Sequence, residues 1–311
     1  MKLYTPYDIY DPPRLKRDGD QDERPVSVRI EDRDVEWFFA SRRHGGRLPT
    51  SYYHAFTAPE FPSYQVSQRR LMKLARARDA KDRKYIIRPD EQFDTKDPEW
   101  NDLISEVGPA ADAVLEERGL WSPYFPTMRG SFKHQVMGNC ISASFELNCR
   151  GSEYTFKPQH VFCEQAGKGI AMGVEGTAVV PDGLFGLVSN KELDLFREED
   201  RGTEPLRSQK PDVRDIDGMI DDYKIIIGKE LYKQHFKTDA RAMLLITTIS
   251  ATRANAILEL IERKFPKGCS YIAVHFIPEF ARKYFHPPKQ LNMLTTPWRR
   301  VGYPVFQLAR G

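Results

Sequence analysis

The chain has 311 residues, 40% hydrophobic and 29% charged, with 47 Lys and Arg against 44 Asp and Glu for a net charge of +3. That length accommodates two domains with cores of their own, and that composition excludes a chain disordered throughout. Four scattered cysteines without paired spacing, no long apolar run and an N-terminus without an apolar signal core lead us to expect a reduced, cytoplasmic protein, neither secreted nor membrane-spanning.

Residues 1–30, rich in Pro, Asp, Arg and Tyr, read as an extended arm. From Val35 the chain reads as a helix, a break at Gly45-Gly46 and a second helix opened by Pro49-Thr50-Ser51. Tyr64 to Ala77 carries Val66, Leu71 and Leu74 at helical spacing, with polar and basic residues between. Nine basic and two acidic residues between Tyr64 and Arg88 place +7 in one short stretch of a chain whose total is +3. Lys84 to Arg88 then reads as a strand. Helix, turn, helix, basic helix and strand in this order resemble a winged helix-turn-helix, whose Ser67 to Arg78 helix would enter the major groove of double-stranded DNA. Gln68, Arg69, Arg70, Lys73, Arg76 and Lys84 are the expected DNA contacts; the alternative is a solvated basic helix packed on the next domain.

Asp90 to Pro98 reads as a loop and Pro109 to Arg118 as a short helix stopped at Gly119. The Pro/Gly cluster from Trp121 to Gly130 is the expected linker, giving an arm at 1–30, a DNA-binding domain at 31–128 and a second domain at 129–311. The second domain is read as a helix from Ser131 to Leu147, a strand at Tyr154 to Phe156, and a hairpin of Thr177 to Val180 and Leu184 to Val188 bent at Pro181-Asp182-Gly183. A strand through Leu193 to Phe196 runs into Glu198-Glu199-Asp200, and a helix spans Val213 to about Lys233. A buried strand at Ala242 to Ile249, a helix at Ala254 to Phe265 and a strand at Tyr271 to Phe276 precede a basic, Pro-rich tail that wraps the body or meets DNA through Arg299 and Arg300. The expected class is α+β or α/β.

Carboxylates converging at strand ends suit a hard divalent cation; they equally suit a solvated hairpin rim. Strand alternation puts Glu198 and Asp200 on one face and Glu199 on the other. The spacing from Pro181-Asp182 to the acidic triplet resembles the PD-(D/E)-x-K nuclease superfamily. More narrowly, Phe196-Arg197-Glu198-Glu199-Asp200-Arg201-Gly202-Thr203-Glu204 resembles the replication-relaxation proteins of bacterial plasmids and mobile elements. The resemblance implies a winged helix joined to a restriction-endonuclease-like mixed sheet that binds Mg²⁺ or Mn²⁺ through Asp182, Glu198 and Asp200. Asp200 stands where that pattern has Lys. Glu146 on the first core helix is a further candidate ligand, Lys224 a substitute for the Lys, and Arg201 and Thr203 site support. Two outcomes follow: a metal-dependent DNA endonuclease or nickase, or a non-catalytic DNA-binding regulator with a degenerate nuclease-like domain. A homodimer is compatible with either. Gly167-Lys168-Gly169 lacks the frame of a phosphate loop and no dinucleotide fingerprint occurs, so no nucleotide cofactor is expected.

Overall fold

The computed structural model describes residues 26–57, 63–92, 102–127, 129–209, 215–281 and 290–309. The first 25 residues of the arm expected at 1–30, most of the loop at 90–98 and the helix start at Pro211-Asp212 lie outside the described residues.

Helix α1 (Asp32–Arg43) opens with a capping box in which Asp34 accepts from the Glu31 N–H at 2.9 Å. The short strand β1 (Arg47–Pro49) leads directly into α2 (Thr50–Thr57) and then α3 (Tyr64–Arg76). Strands β2 (Ile86–Ile87) and β3 (Ile104–Val107) complete an antiparallel sheet in the order β1-β3-β2. The sequence reading anticipated neither β1 nor β3, because three and four residues are too few to display a period of two. Helix α4 (Pro109–Glu117) begins on Pro109, whose fixed φ suits a first turn, and the chain turns away at Gly119 with φ of 66°.

The remaining elements are α5 (Phe132–Cys149), β4 (Thr155–Pro158), α6 (Gln159–Ala166), β5 (Met172–Val174), β6 (Thr177–Val179), β7 (Gly183–Val188) and β8 (Glu192–Asp200). They continue with α7 (Ile216–Gly228), α8 (Leu231–Phe236), β9 (Arg241–Thr248), α9 (Ala251–Lys264), β10 (Ile272–Phe276), β11 (Trp298–Arg300) and β12 (Tyr303–Phe306). Seven strands form one mixed sheet in the order β12-β11-β10-β9-β8-β7-β4, with β8, β9 and β10 parallel and the other pairings antiparallel. The apolar run in β9 is the parallel strand buried on both faces that its composition anticipates.

Three sequence expectations change. Strand β6 pairs with β5 in a separate ribbon, so Pro181-Asp182-Gly183 is not a hairpin bend; the hairpin joins β7 to β8. The helix expected from Val213 to Lys233 is divided after Gly228, where Glu230 adopts φ of 54° and α8 starts afresh. The tail contributes β11 and β12 to the sheet edge; there Arg299 donates to Asn255 at 2.7 Å and the Arg300 guanidinium lies 4.1 Å from the Phe306 ring centre.

One apolar core runs from Trp37, Tyr52 and Tyr53 through Val136, Ile141 and Phe145 on α5 to Leu195, Leu245 and Trp298 under the sheet. It is continuous across residue 128. A second core, built on Phe196, Leu244 and Ile246, fills the opposite sheet face beneath α7, α8 and α9. Polar contacts follow the first core: Tyr52 donates to the Cys140 carbonyl at 3.2 Å, and Arg150 to the Phe56 carbonyl at 2.8 Å. Helix α5 is therefore covered on nearly every side from Val136 to Phe145. All four cysteines are buried free thiols, and among the described residues no helix is long and apolar enough to cross a membrane.

Candidate metal centre and nucleic-acid interface

Strand β8 presents alternate side chains to its two covering layers. Glu198 and Asp200 face the α7 and α9 side. There Tyr223 donates to Glu198 at 2.6 Å, and Arg253 donates to both oxygens of Asp200, at 2.6 and 3.1 Å. Thr248 and the Gly202 N–H complete the shell of Asp200, which anchors the chain as it leaves the sheet. Arg197 and Glu199 face α5 instead.

Asp182 precedes β7 and stands outside the ladder, so the alternation that governs the strand does not bind it. Its Oδ2 accepts from the Glu199 N–H at 2.9 Å and lies 3.2 Å from His134 Nε2 on α5. The structure thus places Asp182 with Glu199 and His134, and not with Glu198 and Asp200. One donor atom from each of the three lies within 4.8 Å of the others. That span fits around one ion, since ligand distances of roughly 2.0–2.6 Å allow ligand atoms up to about 5 Å apart.

Glu199 is the buried member, its side chain 1% exposed. Among the described residues its Oε1 accepts no hydrogen bond, although Arg197 Nε lies 3.1 Å away. Burial pushes its carboxyl up to about 7, the Arg197 charge opposing and the Asp182 charge adding to the rise. Burial would also lower the pKa of His134, but hydrogen bonding and the charge of Asp182 outweigh it and leave it raised. Asp182 is lowered, because the hydrogen bond from His134 and its charge overcome burial.

Arg197 lies between two glycines. A Cβ on Gly183 would stand 2.5 Å from its Nη2, and one on Gly138 3.1 Å from its Nη1 and 2.8 Å from Glu199 Oε2. Its guanidinium donates to the carbonyls of Gly138 and Asp182. Only residues without side chains at 138 and 183 let α5 approach the strand this closely. The cleft that opens onto the cluster is lined by Thr127, Arg129, His134, Asp182, Arg197 and Glu199 among others, and it lies beside Arg43 and His44 at the end of α1.

The other candidates lie elsewhere. Glu146 accepts from Arg43 Nε at 2.7 Å and contacts His44 Nε2 at 2.7 Å, so it joins α5 to α1 and is not a ligand of this cluster. Lys224 rests 5.3 Å from the centre of the Phe265 ring, on the far side of the sheet. Arg201 donates to the Phe280 carbonyl at 3.2 Å, and Thr203 is exposed. From the sequence, His134 reads as a lone structural histidine on its helix, Arg197 and Gly138 carry no signal of a site, and Glu199 falls on the opposite face from the chosen acids. The alternation had already separated Glu199 from its neighbours; the missing information was which face Asp182 joins.

On α3, Ser67, Leu71, Leu74 and Ala75 are buried, while Gln65, Val66, Arg69, Met72 and Lys73 form one exposed stripe continued by half-buried Arg76. Arg70 is not on it. It donates to both carboxylate oxygens of the buried Asp34 and to the Arg29 carbonyl, which ties α3 to α1. Gln68 is half-buried at the margin of the stripe, and Lys84 closes a small turn by bridging Arg78.

Comparison with protein-family models, with curated proteins and with solved structures finds no match.

Proposed function

We propose that the chain is a DNA-binding protein, of the kind that replicates or processes plasmids and mobile elements, with α3 as its reading helix and the His134–Asp182–Glu199 cleft as a metal-dependent phosphodiester site. The observation that carries this reading is the succession α1-β1-α2-α3-β2-β3 with sheet order β1-β3-β2. That succession supports a winged-helix reading, and its third helix exposes Arg69 and Lys73. With α6, β5 and β6 taken as an insertion between β4 and β7, and α8 as one after α7, the elements from α5 to β10 follow the α-β-β-β-α-β-α-β succession expected of a nuclease-like core.

In the cleft, Asp182 and Glu199 would hold a divalent cation with His134, and Arg129 at its mouth is exposed toward an incoming phosphate. A bound ion would supply Lewis-acid polarisation of the phosphate and a more acidic water. Arg197 holds Glu199 in place and removes one unit of negative charge from the cluster.

The test is DNA affinity against salt. Replacing Arg69 and Lys73 with Ala should weaken binding at least tenfold and lower the salt slope by about two, since each phosphate contact contributes roughly 0.9. Unchanged affinity and slope in a folded double variant would remove α3 from this role.

A further inference from the structure

We infer that His134 makes this centre selective for Mn²⁺ and neighbouring transition-metal ions over Mg²⁺, an inference that rests on the cleft being a metal site. Three observations lead to it. First, one of the three convergent donors is an imidazole nitrogen, supplied by α5 and 23% exposed at the side chain. Imidazole nitrogen suits zinc, nickel, iron and copper, and Mn²⁺, though it shares the preference of Mg²⁺ for oxygen, opens the same first-row series, whereas Mg²⁺ demands near-ideal octahedral oxygen ligation and gives up its water shell reluctantly.

Second, the charge available to a hard ion is small. Two carboxylates contribute −2, and the Arg197 guanidinium, 3.1 Å from Glu199, returns +1. An all-oxygen magnesium site draws its affinity from net negative charge; a site at −1 with one imidazole relies more on ligand type. Third, the deepest ligand is already committed to the site. Glu199 Oε1 is buried and, among the described residues, accepts no hydrogen bond, its charge being met by the ion pair with Arg197 at 3.1 Å, which leaves acceptor capacity for an incoming cation. Glu198 and Asp200, the acids that would harden the site, are taken up by Tyr223 and Arg253 on the other face.

The experiment uses the full chain freed of metal with a chelator. Pulsed electron paramagnetic resonance of the Mn²⁺ complex should show nitrogen modulation from a coordinated imidazole, lost in His134→Gln. In thermal-shift titrations MnCl2 should act at a concentration at least tenfold below MgCl2 in the native chain. That ratio should narrow several-fold in His134→Gln and again in His134→Asp, which restores an all-oxygen set and provides a second variant if the first fails to fold. A Mn²⁺ complex without nitrogen coupling, or a ratio unchanged in both variants, would overturn the role of His134 while leaving a metal centre standing. A native chain that neither ion stabilises, or a shift that survives Asp182→Ala and Glu199→Gln, would overturn the centre itself.

Discussion

Asp194 shows how a single side chain can oppose its own fold. It is 1% exposed on β8, with both carboxyl oxygens enclosed. Burial first, then the charge of Glu192, pushes it up to about 7, and Lys157 offsets only part of this. The folded state therefore holds the proton more tightly than the unfolded chain does. Stability conferred by the neutral form is fully present at low pH and is lost as pH rises from about 4 through about 7. The shift from 3.8 to about 7 corresponds to at most roughly 4 kcal/mol. Asp194→Asn keeps the shape without the charge, so its melting temperature should exceed the native one above pH 7 and approach it near pH 4. A gain that is equal at every pH would show that charge is not the cause.

Between elements, the approach of α5 to β8 decides the site. The contact depends on Gly138, because a methyl group there would meet Glu199 Oε2 at 2.8 Å and Arg197 Nη1 at 3.1 Å, and the Glu199 side chain is too enclosed to move aside. Gly138→Ala gains up to about 1 kcal/mol of helix propensity but overpacks the interface by about 1–3 kcal/mol. We expect a net loss, read as a lower denaturant midpoint, together with weaker Mn²⁺ binding because Glu199 is displaced. A midpoint equal to or above the native one would mean that α5 does not pack this closely on the strand. On α3 the same logic separates neighbours: Arg69 faces out from the helix, while Arg70, one residue on, is held by Asp34.

Across the whole molecule, the apolar core that passes through α5 joins the segments before and after residue 128. Its polar counterpart is Glu146, 12% exposed, between Arg43 and His44. Burial would raise the Glu146 carboxyl, yet the hydrogen bond and charge of His44 and the charge of Arg43 hold it down at about 2. His44 is lowered by its own burial despite that partner, so at pH 7 it is the Arg43 charge that faces Glu146. Calorimetry should record one cooperative transition for the full chain, because the core that runs through α5 is shared by the segments before and after residue 128. Glu146→Gln should lower that transition at pH 7. Since the folded carboxyl is the more acidic, its contribution is complete above about pH 4.5 and disappears as pH falls through about 2, so the difference from the native chain should shrink over that window. Two resolved transitions would separate the parts.

Much of the secondary structure was legible in the sequence because burial imposes periods that a single strand or helix displays by itself. The stripe of α3, the apolar run of β9, the Pro-initiated α4 and the alternation of Glu198, Glu199 and Asp200 along β8 all belong to this kind. The short strands β1, β3, β11 and β12 were not legible, since pairing and not pattern makes them strands. The same limit applied to the site. Sequence determined that Glu199 and Asp200 oppose one another, but only tertiary structure decided that Asp182, lying just outside its strand, turns to the face of Glu199. It also brought His134 from a helix 48 positions earlier to within 3.2 Å of that carboxylate. Local periodicity is a property of one segment, whereas a ligand set is a property of the packing between segments, and that packing was set here by two glycines and the buried arginine between them.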